Sequence, residues 1–324
     1  MNQIETLPEG PFILNVLKPT KITSSVVVNH FKRLLPKGKK IGHFGTLDPF
    51  ACGVLMLGIS GGSRLNDFVH KFLPKTYLAL GKLGFNTDTG DITGQIISEK
   101  PHKNNFSKSC LQELLQEKFV GPYWQVPPSF SAVKYKGKAL YKWAREGEII
   151  KKDPVLREIY SLEVLSSRGP FVLFRVKVSS GTYIRTLFED IADSMGEKGT
   201  LVSLVRESVG GVSIKDSLRP KLWPPKGRKL ELNGIESDHC SLLKMDEVLP
   251  FRKAYLEGEN NKHYSNGRKV LVSNVLKWEE SQIEASSSPV WILNKKGDLL
   301  GLSEIVEDHF RPLFNLPSVS TFCS

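Results

Sequence analysis

The 324-residue chain has little cysteine, and what it has is scattered. Cys52, Cys110, Cys240 and Cys323 lie far apart with no CxxC spacing, which argues against a structural zinc site and against a disulfide framework. Its seven histidines are isolated, without an HxxxH or HExxH pair to hold a metal. No apolar run approaches the ~20 residues that cross a bilayer, so no membrane is expected as a partner. The opening MNQIETLPEG lacks the basic start and apolar stretch of a secretory signal, which makes the cytoplasm the expected compartment. There is no internal repeat and no low-complexity tract. An enzyme with this sequence is expected to work without metal.

What is present is an ordinary globular composition with a basic excess. Hydrophobic residues make up 40% and charged residues 24%, enough apolar material for a sizeable core. At this length two domains are expected rather than one. The 45 Lys and Arg against 34 Asp and Glu give a formal charge of +11, and a cationic surface attracts polyanions, of which nucleic acid is the commonest.

Residues 12–19 read as a strand ended by Pro19. A helix follows, with Thr23 or Ser24 as cap and Val27, Phe31 and Leu34 at helical spacing until Pro36. Lys37, Lys39 and Lys40 form a basic turn. The glycines and proline of GHFGTLDPFACGVL, residues 42–55, predict a tight loop, although its glycines fit neither GxGxxG nor GxxxxGK[ST]. Strands are expected over 76–84, 157–165 and 171–179, and helices over 107–119 and 183–196. Residues 134–152, KYKGKALYKWAREGEIIKK, carry seven basic residues against two acidic ones. Residues 219–240 read as a linker, and 250–317 as a small strand-rich barrel with a KKGD turn.

Two segments carry candidate chemistry. Asp48 stands in uncharged surroundings between Leu47 and Pro49, and two readings are open: a turn cap ahead of the proline, or an acid placed for reaction. In SSGTYIRTLFEDIA, residues 179–192, Arg185 near the start of a helix is either an ordinary surface arginine or the partner that pairs with such an acid and orients it.

Together these segments resemble the TruB family of pseudouridine synthases, the bacterial tRNA pseudouridine-55 synthases. NVLKPTKITSS is similar to the family's opening motif, and GHFGTLDPFACGVL matches its nucleophile motif GHxGTLDPxAxGxL throughout. KTYLALGKLGFNTDTGDITG, VPPSFSAVKYKGKALYKWAREG and SSGTYIRTL match three further blocks, so that the resemblance covers about residues 12–215.

The resemblance implies an α+β pseudouridine synthase fold. It would have a central mixed, mainly antiparallel sheet flanked by helices over 11–240, an RNA-gripping insertion at about 120–152, and a small PUA-like RNA-binding barrel over 250–317. It implies that Asp48 is the nucleophile, leaving open attack on the base or on the ribose C1′. Arg185 would pair with it, and Tyr77 would stack on the flipped base and take part in proton removal from carbon 5. Tyr183 and Leu204 would line the site, Lys18 would lie close to it, and His43 would fill the space the extruded base leaves. Lys134, Lys136 and Lys138 would hold the stem-loop backbone, with Arg64 extending that surface.

The isomerisation conserves atoms, so no cofactor is implied. The implied partner is the tRNA T-stem-loop, without guide RNA or protein partner, and a monomer is the default. One departure stands out: Val205 precedes Arg206 and Glu207 follows it where many relatives carry two adjacent arginines, so a phosphate contact is expected to be missing there. Three rivals remain at this point: a guide-RNA-dependent synthase, an RNA-binding protein in which isomerisation is secondary, and a glycosidase. The last would want two carboxylates ~5 to 9 Å apart.

Overall fold

The computed structural model describes residues 10–102, 106–220, 235–236, 242–281 and 289–316. Strand β1 (Phe12–Lys18) is apolar and buried almost throughout. Helix α1 (Ser24–Lys32) follows, capped by the Thr23 hydroxyl, which accepts the Val26 N–H. Its Val27 and Phe31 pack against Leu14, Val16 and Leu57 of the sheet beneath.

The chain continues through β2 (Ile41–His43), β3 (Cys52–Ile59), α2 (Asn66–Phe72), β4 (Lys75–Leu83), and the pair β5 (Phe85–Thr87) and β6 (Ile96–Glu99). Then come α3 (Lys108–Phe119), β7 (Gly121–Gln125), the hairpin β8 (Lys134–Tyr135) and β9 (Lys138–Ala139), and α4 (Leu140–Arg145). Strands β10 (Val155–Arg168) and β11 (Phe171–Val178), helix α5 (Ile184–Ser194) and strand β12 (Gly199–Val209) complete the main body. Short strands β13 (Val212–Ser213), β14 (Arg219–Pro220), β15 (Ile235–Glu236) and β16 (Leu242–Leu243) lead out of it.

These strands build a ten-stranded sheet of order β16-β1-β3-β12-β4-β11-β10-β7, with β2 added on β3 and β13 on β12. Pairing is antiparallel except between β3 and β12, which makes the sheet mixed and mainly antiparallel. On β4 the burial alternates strictly, so Lys75, Tyr77 and Ala79 share one face. Helices α3 and α5 cover that face through Leu111, Leu115, Leu187, Phe188 and Ile191. The close fit is visible at Gly81, where a Cβ would sit 2.0 Å from the Phe188 ring.

Two sequence expectations are corrected. The glycine-rich segment 42–55 is not one loop, because its ends belong to β2 and β3 and only 44–51 is irregular. Gly53 serves a close approach rather than a turn: φ is +120°, and a Cβ there would lie 2.3 Å from the Arg206 carbonyl oxygen on β12. Likewise residues 121–125, read as the start of the insertion, are strand β7 paired with Val155–Ile159 of β10. What leaves the sheet begins after Gln125.

The second sheet uses β17 (Lys253–Leu256), β18 (Val270–Leu271), β19 (Lys277–Glu279), β20 (Val290–Asn294), β21 (Leu299–Val306) and β22 (His309–Asn315) in the order β18-β22-β21-β20-β17-β19. Its end strands are not paired with each other, so it is a six-stranded half-barrel of PUA-like form. The last strand of the first sheet, β16, ends at Leu243 and the first of the second begins at Lys253. The segment between them supplies Val248, Leu249 and Phe251 to a cluster shared by Ile13, Met56 and Trp291. Most of the expected linker over 219–240, with Cys240 and Cys323, lies outside the described residues. No helix among the described residues is long and apolar enough to cross a membrane.

Candidate active site

The irregular stretch between β2 and β3 is fixed from several sides, each by a residue distant in sequence. Ser24, the first residue of α1, grips Leu47 twice: its Oγ accepts the Leu47 N–H at 2.9 Å and donates to the Leu47 carbonyl at 3.1 Å. Lys18, buried at the end of β1, donates to the Ala51 carbonyl at 2.7 Å and to that of Pro19 at 2.8 Å. Burial lowers this ammonium to about 8, with Cys52 and Asp48 pulling the other way. Arg206 on β12 donates from Nε to the Val54 carbonyl at 2.8 Å and from Nη2 to that of Gly45 at 3.1 Å. With Leu47 locked inward, Asp48 presents its carboxylate at the surface of a cavity.

Arg185 completes that carboxylate. Buried to 4% exposure, it donates from Nε to Asp48 Oδ2 at 2.8 Å, from Nη2 to the Phe130 carbonyl at 2.9 Å, and from Nη1 to the Thr89 carbonyl. A guanidinium tied at three corners has no freedom to turn, so the position of Asp48 Oδ2 is set by the fold. Among the described residues Oδ1 has no hydrogen-bond partner and is left for substrate. A second acid, Asp91, lies 4.0 Å from Arg185 Nε, but its Oδ1 accepts from the backbone and hydroxyl of Thr93 and it does not line the cavity.

The cavity holds about 210 Å³ and is walled by Asp48, Tyr77, Tyr183, Leu204, Lys75 and Arg206. Tyr77 comes from β4, buried to 7%, and Leu204 from the neighbouring β12, buried to 5%. Tyr183 precedes α5, and its backbone is fixed by Gln125, whose Oε1 accepts the Tyr183 N–H at 2.7 Å and whose Nε2 donates to the Tyr183 carbonyl at 3.0 Å. Burial raises its phenol above the usual value. Tyr77, Tyr183 and Leu204 give this slot an apolar side, and Asp48 stands in the same wall.

Other residues named from the sequence are placed differently. Lys18 sits beneath the loop and braces it. His43 lies on β2, outside the cavity wall, with Nδ1 buried and, among the described residues, without a hydrogen-bond partner; burial, then Arg206, lowers its pKa. Arg64 turns away to the second sheet, donating to the Asn315 carbonyl at 2.7 Å with its guanidinium 5.8 Å from the Phe314 ring. Lys134 and Lys136 are exposed on the β8–β9 hairpin, whereas Lys138 pairs with Glu146 and lies 4.1 Å over the Trp143 ring. At the departure after Leu204, Glu207 is occupied by Arg175, whose Nε reaches it at 2.7 Å.

The sequence reading assigned no role to Lys75, His70 or Ser180, and it noted Arg206 only as a departure. The strand period contained the signal for the first: Lys75 is two residues before Tyr77 and therefore on the same face.

Comparison with known proteins agrees with this arrangement. A family model described as "TruB family pseudouridylate synthase (N terminal domain)" matches residues 32–184. The chain is 40% identical over 292 residues to a tRNA pseudouridine synthase B of Thermotoga maritima, covering 90% of this chain and 89% of that protein. To a tRNA pseudouridine synthase B of Clostridium novyi it is 38% identical over 261 residues, 80% of this chain and 84% of the other. Among solved structures it is similar to the crystal structure of a Cbf5-Nop10-Gar1 complex, with a TM-score of 0.65 and 22% identity over 98% of this chain and 91% of that one. At that identity the likeness speaks for the fold.

Proposed function

The chain belongs to the TruB family of pseudouridylate synthases, and from that membership we propose that it converts uridine to pseudouridine in tRNA, at position 55 of the T-loop. The observation that carries this reading at the level of chemistry is the single free carboxylate oxygen of Asp48, held by a fully tethered Arg185 at the edge of an aromatic slot.

The uridine is turned out of its stack into the slot between Tyr77, Tyr183 and Leu204. Asp48 Oδ1 attacks as nucleophile, at the ribose C1′ or at the ring, and the N1–C1′ bond breaks. The base turns within the slot and C1′ bonds to carbon 5. As C1′ bonds to carbon 5 the bond to Asp48 Oδ1 breaks and frees the carboxylate; the proton leaving carbon 5 is relayed past the Tyr77 hydroxyl to water, and N1 takes up one proton from water, so atoms balance. Arg185 keeps the carboxylate oriented through both bond changes.

The hairpin and helix over 134–145 grip the stem-loop by exposed Lys134 and Lys136, and the half-barrel adds a second RNA contact. The protein acts as a monomer in the cytoplasm, without guide RNA or protein partner. The RNA-gripping insertion favours this over a guide-dependent reading. The test is to incubate unmodified tRNA transcript with the purified protein and map pseudouridine. One new pseudouridine at the T-loop uridine is expected, and an unchanged transcript would sink the reading.

A further inference from the structure

One wall of the cavity holds positive charge that the isomerisation above does not use. Lys75 is 3% exposed and makes no ion pair among the described residues. Its Nζ donates to Ser180 Oγ at 2.8 Å, and among the described residues no other acceptor takes its remaining N–H donors. Ser180 Oγ in turn lies 2.5 Å from His70 Nδ1. Arg206 spends Nε and Nη2 on carbonyls and has no carboxylate partner among the described residues.

These groups converge on one point. Above Gly45, whose φ of +94° turns its backbone aside, a Cβ would lie 3.5 Å from His70 Cε1, 3.6 Å from Arg206 Nη1 and 3.6 Å from Lys75 Cε. Ser180 is itself fixed: Arg157 donates to its carbonyl at 3.4 Å, and Ser179 beside it pairs with Glu158. A buried lysine next to a buried arginine, with no counter-ion, is costly. Desolvation and then Arg206 lower the Lys75 ammonium to about 7, and His70 is also held below its usual value by partial burial and by Lys75. An anion in this part of the cavity would relieve that cost, and Lys75, Ser180 and Arg206 all line it, with Arg206 Nη1 the donor nearest the point above Gly45.

We propose that Lys75, Arg206 and Ser180 form a seat for one backbone phosphate of the RNA strand beside the flipped uridine. This rests on the proposed action on RNA. Lys75 and Tyr77 are one strand repeat apart, ~7 Å along β4, so a phosphate held by the first fixes where the base meets the second. Lys75 is thus a positioning residue: it anchors the strand and sets the depth of the base in the slot.

The test is a coupling cycle on binding. A fluorescent T-stem-loop RNA and a series with single neutral methylphosphonates at each phosphate flanking the target uridine are titrated against the wild type and Lys75→Met. Lys75→Met is expected to weaken binding of the native RNA about 10-fold. At one phosphate only, the methylphosphonate should cost the wild type a similar factor and cost Lys75→Met less than 2-fold. Substitutions at the other phosphates should cost both proteins equally.

Equal losses in both proteins at every phosphate would overturn the seat, as would unchanged affinity of Lys75→Met. Should that variant not fold, Ser180→Ala is taken through the same cycle, with a smaller loss confined to the same phosphate. Pseudouridine scored in the same samples separates the two claims. Coupling without turnover would remove the activity and leave the seat, while turnover without coupling would remove the seat alone.

Discussion

The loop that presents Asp48 and the hairpin that presents Lys134 and Lys136 are both irregular outgrowths of one sheet, yet they are held in opposite ways. The Asp48 loop spends its polar groups on residues far away in sequence: Ser24, Lys18, Arg206 and Arg185 all reach it from other elements. The hairpin is held mostly by itself. Its turn is made by Lys136 and Gly137, at φ +48° and +80°, as a two-residue hairpin requires. Trp143 donates to the Tyr135 carbonyl at 3.3 Å, Lys138 pairs with Glu146, and Lys152 lies 5.1 Å over the Tyr135 ring. Its contact with the site is at its root, where the Phe130 carbonyl accepts from Arg185 and Ser131 and Ala132 line the cavity. Covalent chemistry needs atoms fixed to fractions of an ångström, whereas a grip on a charged backbone needs only a flexible carrier of charge. The two regions divide those tasks.

Changes in the first region should therefore remove turnover, and changes in the second should alter affinity and its salt dependence. The largest effect in the wall of the site is expected from Tyr77→Phe, which keeps the ring and removes the polar tip. Turnover should fall about 10³-fold in single-turnover assays while binding stays within a few-fold. Arg185→Lys comes next, at about 10²-fold in rate, because a single ammonium cannot satisfy Asp48, Thr89 and Phe130 together. The carbonyls left unpaired should also lower the melting temperature, read by calorimetry. A normal melting temperature with a normal rate would show that Asp48 does not depend on this tether.

In the hairpin, Lys134→Ala with Lys136→Ala should leave the melting temperature unchanged. The slope of log affinity against log salt should flatten by about one unit per lost phosphate contact. Lys138→Ala should do less, since Glu146 already neutralises it. A change in chemical rate as large as that of Arg185→Lys would break the division. The smallest effect concerns Lys18. Its folded value of about 8 lies below its unfolded value near 10.5, so the unfolded chain binds more protons between these limits. Its share of stability is unfavourable below pH 8 and improves as pH rises toward 10.5. Lys18→Met should flatten that rise in urea titrations across the same window.

The same contrast explains what could be read from the sequence. Local signals were legible: the Thr23 cap, the periodicity of α3 behind Ser107, and the β10–β11 hairpin around Gly169 all lie where their residues predict. The five family motifs named the residues of the slot, and Asp48 and Arg185, 137 positions apart, do meet. Two things were hidden. Gly53 read as a loop former because the partner that demands it, like the one that demands Gly58 on β3, is invisible in sequence. At Gly58 a Cβ would strike the Phe44 ring at 2.6 Å. The cluster of Lys75, His70, Ser180 and Arg206 was hidden for the same reason. Lys75 and Ser180 are 105 residues apart, and although the strand period puts Lys75 on the face of Tyr77, nothing in the sequence brings Ser180 to it.

The central claim, that the free oxygen of Asp48 does the chemistry while binding resides elsewhere, is tested most directly by Asp48→Asn on a tRNA transcript. Affinity and pseudouridine yield are measured on the same samples. The account predicts no pseudouridine after many wild-type half-times, with the dissociation constant within a few-fold of wild type. Pseudouridine formed by Asp48→Asn at the wild-type position and rate would contradict it.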